Sequence, residues 1–201
     1  GLNLDRVRLI GATLAETTLS FQNLSGRDLT GANLTGANLT ATNLSGANLT
    51  GANLTGTNLG SGNTDLTGAN LTEANLTGLD LSRKDLTDQN LSGANLTNAI
   101  LLDTKLINAN LTGANLTNAT LADGEGPAAY LSGATLVGAN LTGVDLAGRA
   151  DLGNLTNTNL TNANLADAKL ANSSLTGATR VGTNQTNGDL SGRDFSGRDM
   201  S

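Results

Sequence analysis

The chain has no cysteine, no histidine and no tryptophan, and its 201 residues hold a single proline and three aromatic rings. Without cysteine there is neither a disulfide framework nor a thiolate metal site. Without histidine or cysteine, the Ser–His and Cys–His nucleophile pairs and zinc constellations are excluded. The chain is therefore read as non-enzymatic, with no cofactor and no metal. With so few aromatics, which normally supply large buried units, the core has to be built from aliphatic side chains. No apolar run approaches the roughly 18 residues of a membrane span, and no signal-peptide pattern is present. Both a cytoplasmic and a secreted or cell-surface setting stay open. Gly1 stands where Met would start a chain, which predicts that an upstream segment was removed. Seventeen acids against 11 bases, a net charge of −6, argue against direct nucleic-acid binding, which needs a basic footprint.

What is present is a five-residue period. Leucine recurs at every fifth position from Leu4 to Leu59 and again from Leu66 to Leu121. A fixed period of this kind marks a solenoid, and five matches neither the helical nor the strand template. Two residues before each leucine sits a small residue, as at Ala32, Ala47, Ala74 and Ala94. Asn or Asp precedes the leucine, Thr or Ser follows it, and Gly often comes next. Alternation sends the leucine and the small residue inward and the polar pair outward. Gly in the last place suits a sharp corner with positive φ, and Asn or Asp can bond local backbone at turns.

These residues resemble the pentapeptide-repeat family, whose consensus is A-(N/D)-L-x-x, and the likeness runs along essentially the whole chain. The resemblance implies an all-β, right-handed quadrilateral β-helix with four pentads per coil, one per side. Forty pentads, adjusted by two added residues near 60–65 and one removed near 147–154, account for the 201 residues as about ten coils of a single domain. Stacked at strand spacing, they make a rod on the order of 50 Å long.

Departures from the repeat single out particular residues. Counting sides from Leu4 as side one, the breaks at 60–65, 122–130 and 180–187 fall at the corner between sides four and one. Loops on a rigid scaffold often carry function, so Asn63, Asp123, Glu125, Pro127, Tyr130 and Arg180 form a candidate partner edge. Outward Ile100, Leu102 and Ile107 are expected to pack under the Gly-Glu-Gly-Pro segment, with Leu102 beneath Ala122 and Ile107 beneath Pro127. Three core places are not apolar: Gly126, Arg180 and Gln185. A buried Arg180 would be costly, which predicts a register change that turns Val181 inward. Gln22, Arg27, Lys84, Gln89, Arg193 and Arg198 replace the small inward residue and are expected to escape at wider corners or near the rod ends. Asp123 and Glu125 lack the EF-hand spacing of a calcium loop. The 18 N-x-(S/T) sequons follow automatically from the A-N-L-T consensus.

Two functions compete. Solenoids need terminal caps, and the array is in phase at Leu2 and Leu4 and again at Phe195 and Met200. Uncapped ends predict head-to-tail stacking into filaments, making the chain a structural or interaction scaffold whose partner is itself or another protein. The resembled family also includes quinolone-resistance proteins, which dimerise through their C-terminal ends and present an acidic rod that imitates DNA to type II topoisomerases. That alternative fits the charges less well. Nine acids, among them Asp28, Asp65, Asp80 and Asp85, occupy the turn-forming place before the core residue. The other eight acids face 11 bases, whereas a mimic should carry a one-signed stripe.

Overall fold

The described pentads close on one repeated hydrogen bond. The N–H three residues after a core leucine donates to that leucine's carbonyl, as in Ala32 to Leu29 at 2.9 Å and Ala47 to Leu44 at 3.0 Å. The third residue of each such turn has positive φ, between 62° and 71° at the glycines of the described turns, which is the type II pattern. In the computed structural model the described residues are 8–59, 63–121, 129–131, 133–142, 144, 160, 165, 177, 178 and 180–186.

The pentad beginning at Leu29 shows where its backbone donors go. Leu29 N–H donates to Asn48 O in the next coil, Gly31 to Thr50 O, Asn33 back to Ala12 O, and Ala32 closes the turn, all at 2.8–2.9 Å. The fifth, Thr30 N–H, has no carbonyl to reach and donates to Asp28 Oδ1 at 3.1 Å. Buried or half-buried backbone groups must be paired, and this explains the Asn or Asp before each leucine. Its side-chain oxygen is the acceptor that the coil geometry leaves out. The Thr hydroxyl donates to the same oxygen, at 2.7 Å for Thr35 on Asn33. The Asn amide then donates to the Thr hydroxyl of the preceding coil, at 2.9 Å from Asn48 to Thr30 and 3.0 Å from Asn70 to Thr50.

Each side contributes one parallel pairing, and Thr13, Thr18, Asn23 and Asp28 pair in turn with Asn33, Asn38, Asn43 and Asn48. The chain therefore returns to the same place after four pentads, or 20 residues. Stacked leucines fill the interior with the inward alanines, from Leu9 through Leu141. These are the layers of a β-helix, with no longer strand than a single pairing per side among the described residues.

The register lengthens at two places. Asn43 pairs with Asp65, a step of 22, and Lys105 pairs with Tyr130, a step of 25. Across the second, Ala129 N–H donates to Leu121 O at 2.8 Å. That is the ordinary turn bond with five residues added inside it. Counting 122–126 as a side, with Gly126 in the core, is therefore one pentad too many in the arithmetic that gave ten coils. Tyr130 pairs over Lys105, while Ala122 and Pro127, expected above Leu102 and Ile107, lie outside the described residues.

Two other expectations are corrected. Val181 is 56% exposed and Arg180 keeps the leucine place. Thr183 N–H closes the turn on Arg180 O at 3.3 Å, and Leu165 N–H reaches Asn184 O at the regular 19-residue separation, so no register change occurs. Arg180 is half-exposed, which lets its charge stay solvated without one. Gln89 does not escape either. It is 5% exposed, with Nε2 on Leu66 O at 3.0 Å, and its Oε1 has no partner among the described residues. Gln22, Arg27 and Lys84 are half-exposed; Arg193 and Arg198 lie outside the described residues.

Gly51 isolates the turn's conformational demand, since its φ is +64° and a Cβ there would meet nothing within 4 Å. Gly51→Ala is expected to destabilise by about 1 kcal/mol through the left-handed backbone alone. Urea denaturation checks this, and equal or greater stability would contradict it.

Candidate interaction surface

The four edges of the rod differ in what occupies the positive-φ place. Between sides two and three it is Gly11, Gly31, Gly51, Gly93, Gly113 and Gly138, broken by Glu73. The other two regular edges mix glycine with Asn, Asp or Glu. Between sides four and one the occupants are Phe21, Ala41, Arg83 and Asp103, with φ of 61°, 53°, 63° and 57°, and no glycine among the described residues. Both register steps fall on this same edge, after Leu59 and after Leu121. Left-handed backbone costs an L-residue roughly 1–2 kcal/mol, so this edge, with no glycine among its described residues, carries more of that strain than any of the other three. Phe21 adds a second departure, with its ring 78% exposed.

Inside that edge runs a seam of threonine hydroxyls bonded from coil to coil. Thr42 Oγ1 donates to Leu19 O at 2.8 Å, Thr64 to Leu39 O at 2.6 Å and Thr104 to Leu81 O at 2.9 Å. Each of these hydroxyls reaches the turn carbonyl of the coil below, stapling neighbouring corners together. Lys84 takes the same inward place, with Nζ 3.3 Å from Thr64 O. Burial pushes its ammonium below the usual lysine value, and Asp65 pulls the other way.

On the outside, sides two and three keep the Asn and Thr lattice. Asn33, Asn53, Asn75, Asn95, Asn115 and Asn140 stack along side three, each accepting from the Thr two residues on. Sides four and one depart from it between residues 100 and 130. Asp80 pairs with Ile100, and Asp85 with Lys105 and then Tyr130. With Ile100 and Lys105 in the Asn place, the N–H groups of Leu102 and Ile107 lose their side-chain acceptor and have none among the described residues. Ile100 is 38% exposed, and Leu102, Ile107 and Tyr130 are half-exposed. Lys105 and Asp85 form an ion pair at 3.3 Å, and being exposed it adds little to stability.

Of the sequence-selected edge residues, Asn63 is exposed within the first register step and Tyr130 closes the second. Asp123, Glu125 and Pro127 lie outside the described residues, as do Leu2, Leu4, Phe195 and Met200. Arg180 belongs to a coil whose described pairing is with Leu165. Sequence reading missed Phe21, Arg83 and Asp103, although the signal was there in the non-glycine residues at the last place of their pentads. Among the described residues no group of three His, Cys, Asp or Glu is placed to hold a metal, and no helix is long and apolar enough to cross a membrane.

Asp65 and Asp85 on side one are held below the ordinary carboxylate range, first by the hydroxyls of Thr67 and Thr87 and then by the same residues' N–H groups. A depressed folded value means that the unfolded chain binds more protons in acid. The contribution is therefore complete above the unfolded value near 3.9 and lost as pH falls through the lower folded one. Asp65→Asn with Asp85→Asn keeps both acceptors and removes the titration. The double variant is expected to lose less stability than the parent between neutral pH and about pH 3. Identical urea midpoints for both proteins across that range would contradict it.

A family model for pentapeptide repeats matches 8 copies over residues 23–60, 62–88, 90–123, 128–148 and 154–192. Among solved structures, HetL, a pentapeptide repeat protein involved in heterocyst differentiation regulation from the cyanobacterium Nostoc sp. strain PCC 7120, is 31% identical, covering 90% of this chain and 87% of that one with a TM-score of 0.43. Rfr23 from the cyanobacterium Cyanothece 51142 is 31% identical over 65% of this chain and 88% of that one, with a TM-score of 0.32. QnrB1, a plasmid-mediated fluoroquinolone resistance protein, is 22% identical in a trypsin-treated form, over 88% and 86% of the two chains, with a TM-score of 0.34. No curated protein matches the chain. The repeated turn, the 20-residue return and the family model together establish that the chain belongs to the pentapeptide-repeat family.

Proposed function

We propose that the chain is a non-enzymatic structural and interaction scaffold, a right-handed quadrilateral β-helix that associates with itself end to end. The observation that supports this most is the identity of successive coils. From Thr13 to Asn53, and again from Asn70 to Thr120, each coil offers the next the same row of donors and acceptors at the same 20-residue interval. A surface that pairs with its own translated copy makes a heterologous, non-closing contact, and such contacts build filaments. Leu2, Leu4, Phe195 and Met200 are the residues proposed to meet at the junction.

The lateral faces suit a scaffold for a separate reason. Sides two and three turn their polar atoms onto one another and onto the backbone, which leaves little that could act on a substrate. The DNA-mimic alternative has weaker support. Of the nine charged residues between 63 and 107, seven lie on sides four and one or their shared edge, but they include Arg83, Lys84 and Lys105 and are interleaved with Ile100 and Leu102. A one-signed stripe, the requirement for imitating a polyanion, is not what these positions supply.

Negative-stain microscopy over a concentration series is the test. Thin fibres that lengthen with concentration are expected, and Leu4→Asp with Met200→Asp is expected to leave separate rods. Separate rods from the unsubstituted chain at every concentration would remove the end-to-end reading.

A further inference from the structure

We propose that the edge between sides four and one, where Asp80 and Asp85 pair with Ile100 and Lys105 of the next coil and Lys105 pairs with Tyr130, docks a cationic, apolar segment of another protein. This rests on the scaffold reading and not on end-to-end assembly.

The consensus would fill every outward place here with Asn, Thr or Gly, and sides two and three of the same coils nearly do so. Instead Ile100, Leu102, Ile107 and Tyr130 bring four apolar or aromatic side chains to two adjoining faces. Each replacement gives something up. Ile100 and Lys105 remove the acceptor that would cap the N–H groups of Leu102 and Ile107. Ile100 leaves apolar area in water, which costs about 25 cal/mol per Å². Arg83 and Asp103 sit in left-handed backbone that glycine occupies elsewhere. Exposed apolar area set in a polar frame marks a contact site on an otherwise hydrophilic surface.

The charges around the patch select the partner. Lys105 is matched by Asp85 at 3.3 Å, and the Lys84 ammonium is turned inward, onto Thr64 O. The Lys84 charge acts on Asp65, so the remaining outward charges are Asp80 and Asp103 against Arg83, with Asp88 on the next edge. Complementarity steers encounter and excludes wrong partners, so a basic segment is favoured and nucleic acid or an anionic lipid surface is repelled. A second copy of the chain is a poor occupant. Its exposed or half-exposed bases among the described residues, Arg8, Arg27, Arg83, Lys84, Lys105 and Arg180, are scattered and form no basic apolar stripe. The two amide donors beside Leu102 and Ile107 suit the carbonyl oxygens of an extended peptide. They sit next to the apolar side chains that would anchor it.

The probe is a fluorescein-labelled peptide of alternating leucine and lysine, read by anisotropy at a protein concentration where sedimentation shows unassembled rods. Failure of end-to-end assembly then leaves the result untouched. The unsubstituted chain is expected to bind this peptide, more weakly as salt is raised. Peptides of alternating serine and lysine, or of leucine and glutamate, are expected to bind at least tenfold less tightly. Ile100→Asn with Leu102→Thr, which restores the lattice residues and so keeps the fold, is expected to weaken binding about tenfold or more. Asp80→Asn with Asp103→Asn should lower it by a similar factor. Asn75→Asp with Asn95→Asp, which adds acids to side three, should change nothing. The proposal is overturned by absent binding, by equal binding of the serine–lysine peptide, or by full affinity in the Ile100/Leu102 variant. Increased binding in the side-three variant would overturn it too, since acidity alone would then be sufficient.

Discussion

The turn bond from the residue after Gly back to the core leucine's carbonyl is the constraint on which the rest of this molecule depends. It fixes a corner every five residues and demands positive φ at the third position. It also sets the leucine and the small residue facing inward on each side. Once four corners return the chain to its starting place, coil-to-coil bonding follows, because each N–H and C=O meets the same group one coil away. The insertion between Leu121 and Ala129 shows how dominant this bond is. Five added residues leave its length at 2.8 Å and leave the pairing of Asn110 with Thr135, and Asn115 with Asn140, in step.

Side-chain chemistry is then divided between two tasks. On sides two and three, Asn and Thr complete the backbone's hydrogen bonding and one another's. On sides four and one the lattice is given up in a limited region, while the hydroxyls of Thr42, Thr64 and Thr104 secure the same edge from inside. Strain outside and staples inside occupy the same corner. Strained backbone persists where its surroundings over-determine it, and the internal threonines are that over-determination.

Much of this was legible in the sequence, for a definite reason. A period of five held over dozens of repeats leaves one way to bury the leucines, so the solenoid, the inward alanines and the corner shared by the breaks at 60–65 and 122–130 could be read from spacing. What spacing could not give was the cost of particular side chains. Arg180 was expected to force a register change, but its long side chain reaches solvent from the core place and the turn on Thr183 forms regardless. Gln89 was expected to escape outward, but Leu66 O offers its amide a bond inside. Whether the pentad at 122–126 formed a side or lengthened a turn depended on pairing between distant residues, and Tyr130 over Lys105 decides it. Phe21, Arg83 and Asp103 were in view as non-glycine residues, yet their significance appears only when corners one coil apart are seen to share an edge.

The central claim is that the four–one edge retains residues that stability alone would replace. Urea denaturation of the chain carrying Phe21→Gly, Ala41→Gly, Arg83→Gly and Asp103→Gly tests it most directly. Relief of left-handed strain at four sites, less the entropy glycine adds to the unfolded chain, should raise stability by about 2 to 3 kcal/mol in total. An unchanged or lower stability would mean that those four side chains hold the rod together, and that this edge is part of the framework and not a surface set aside for contact.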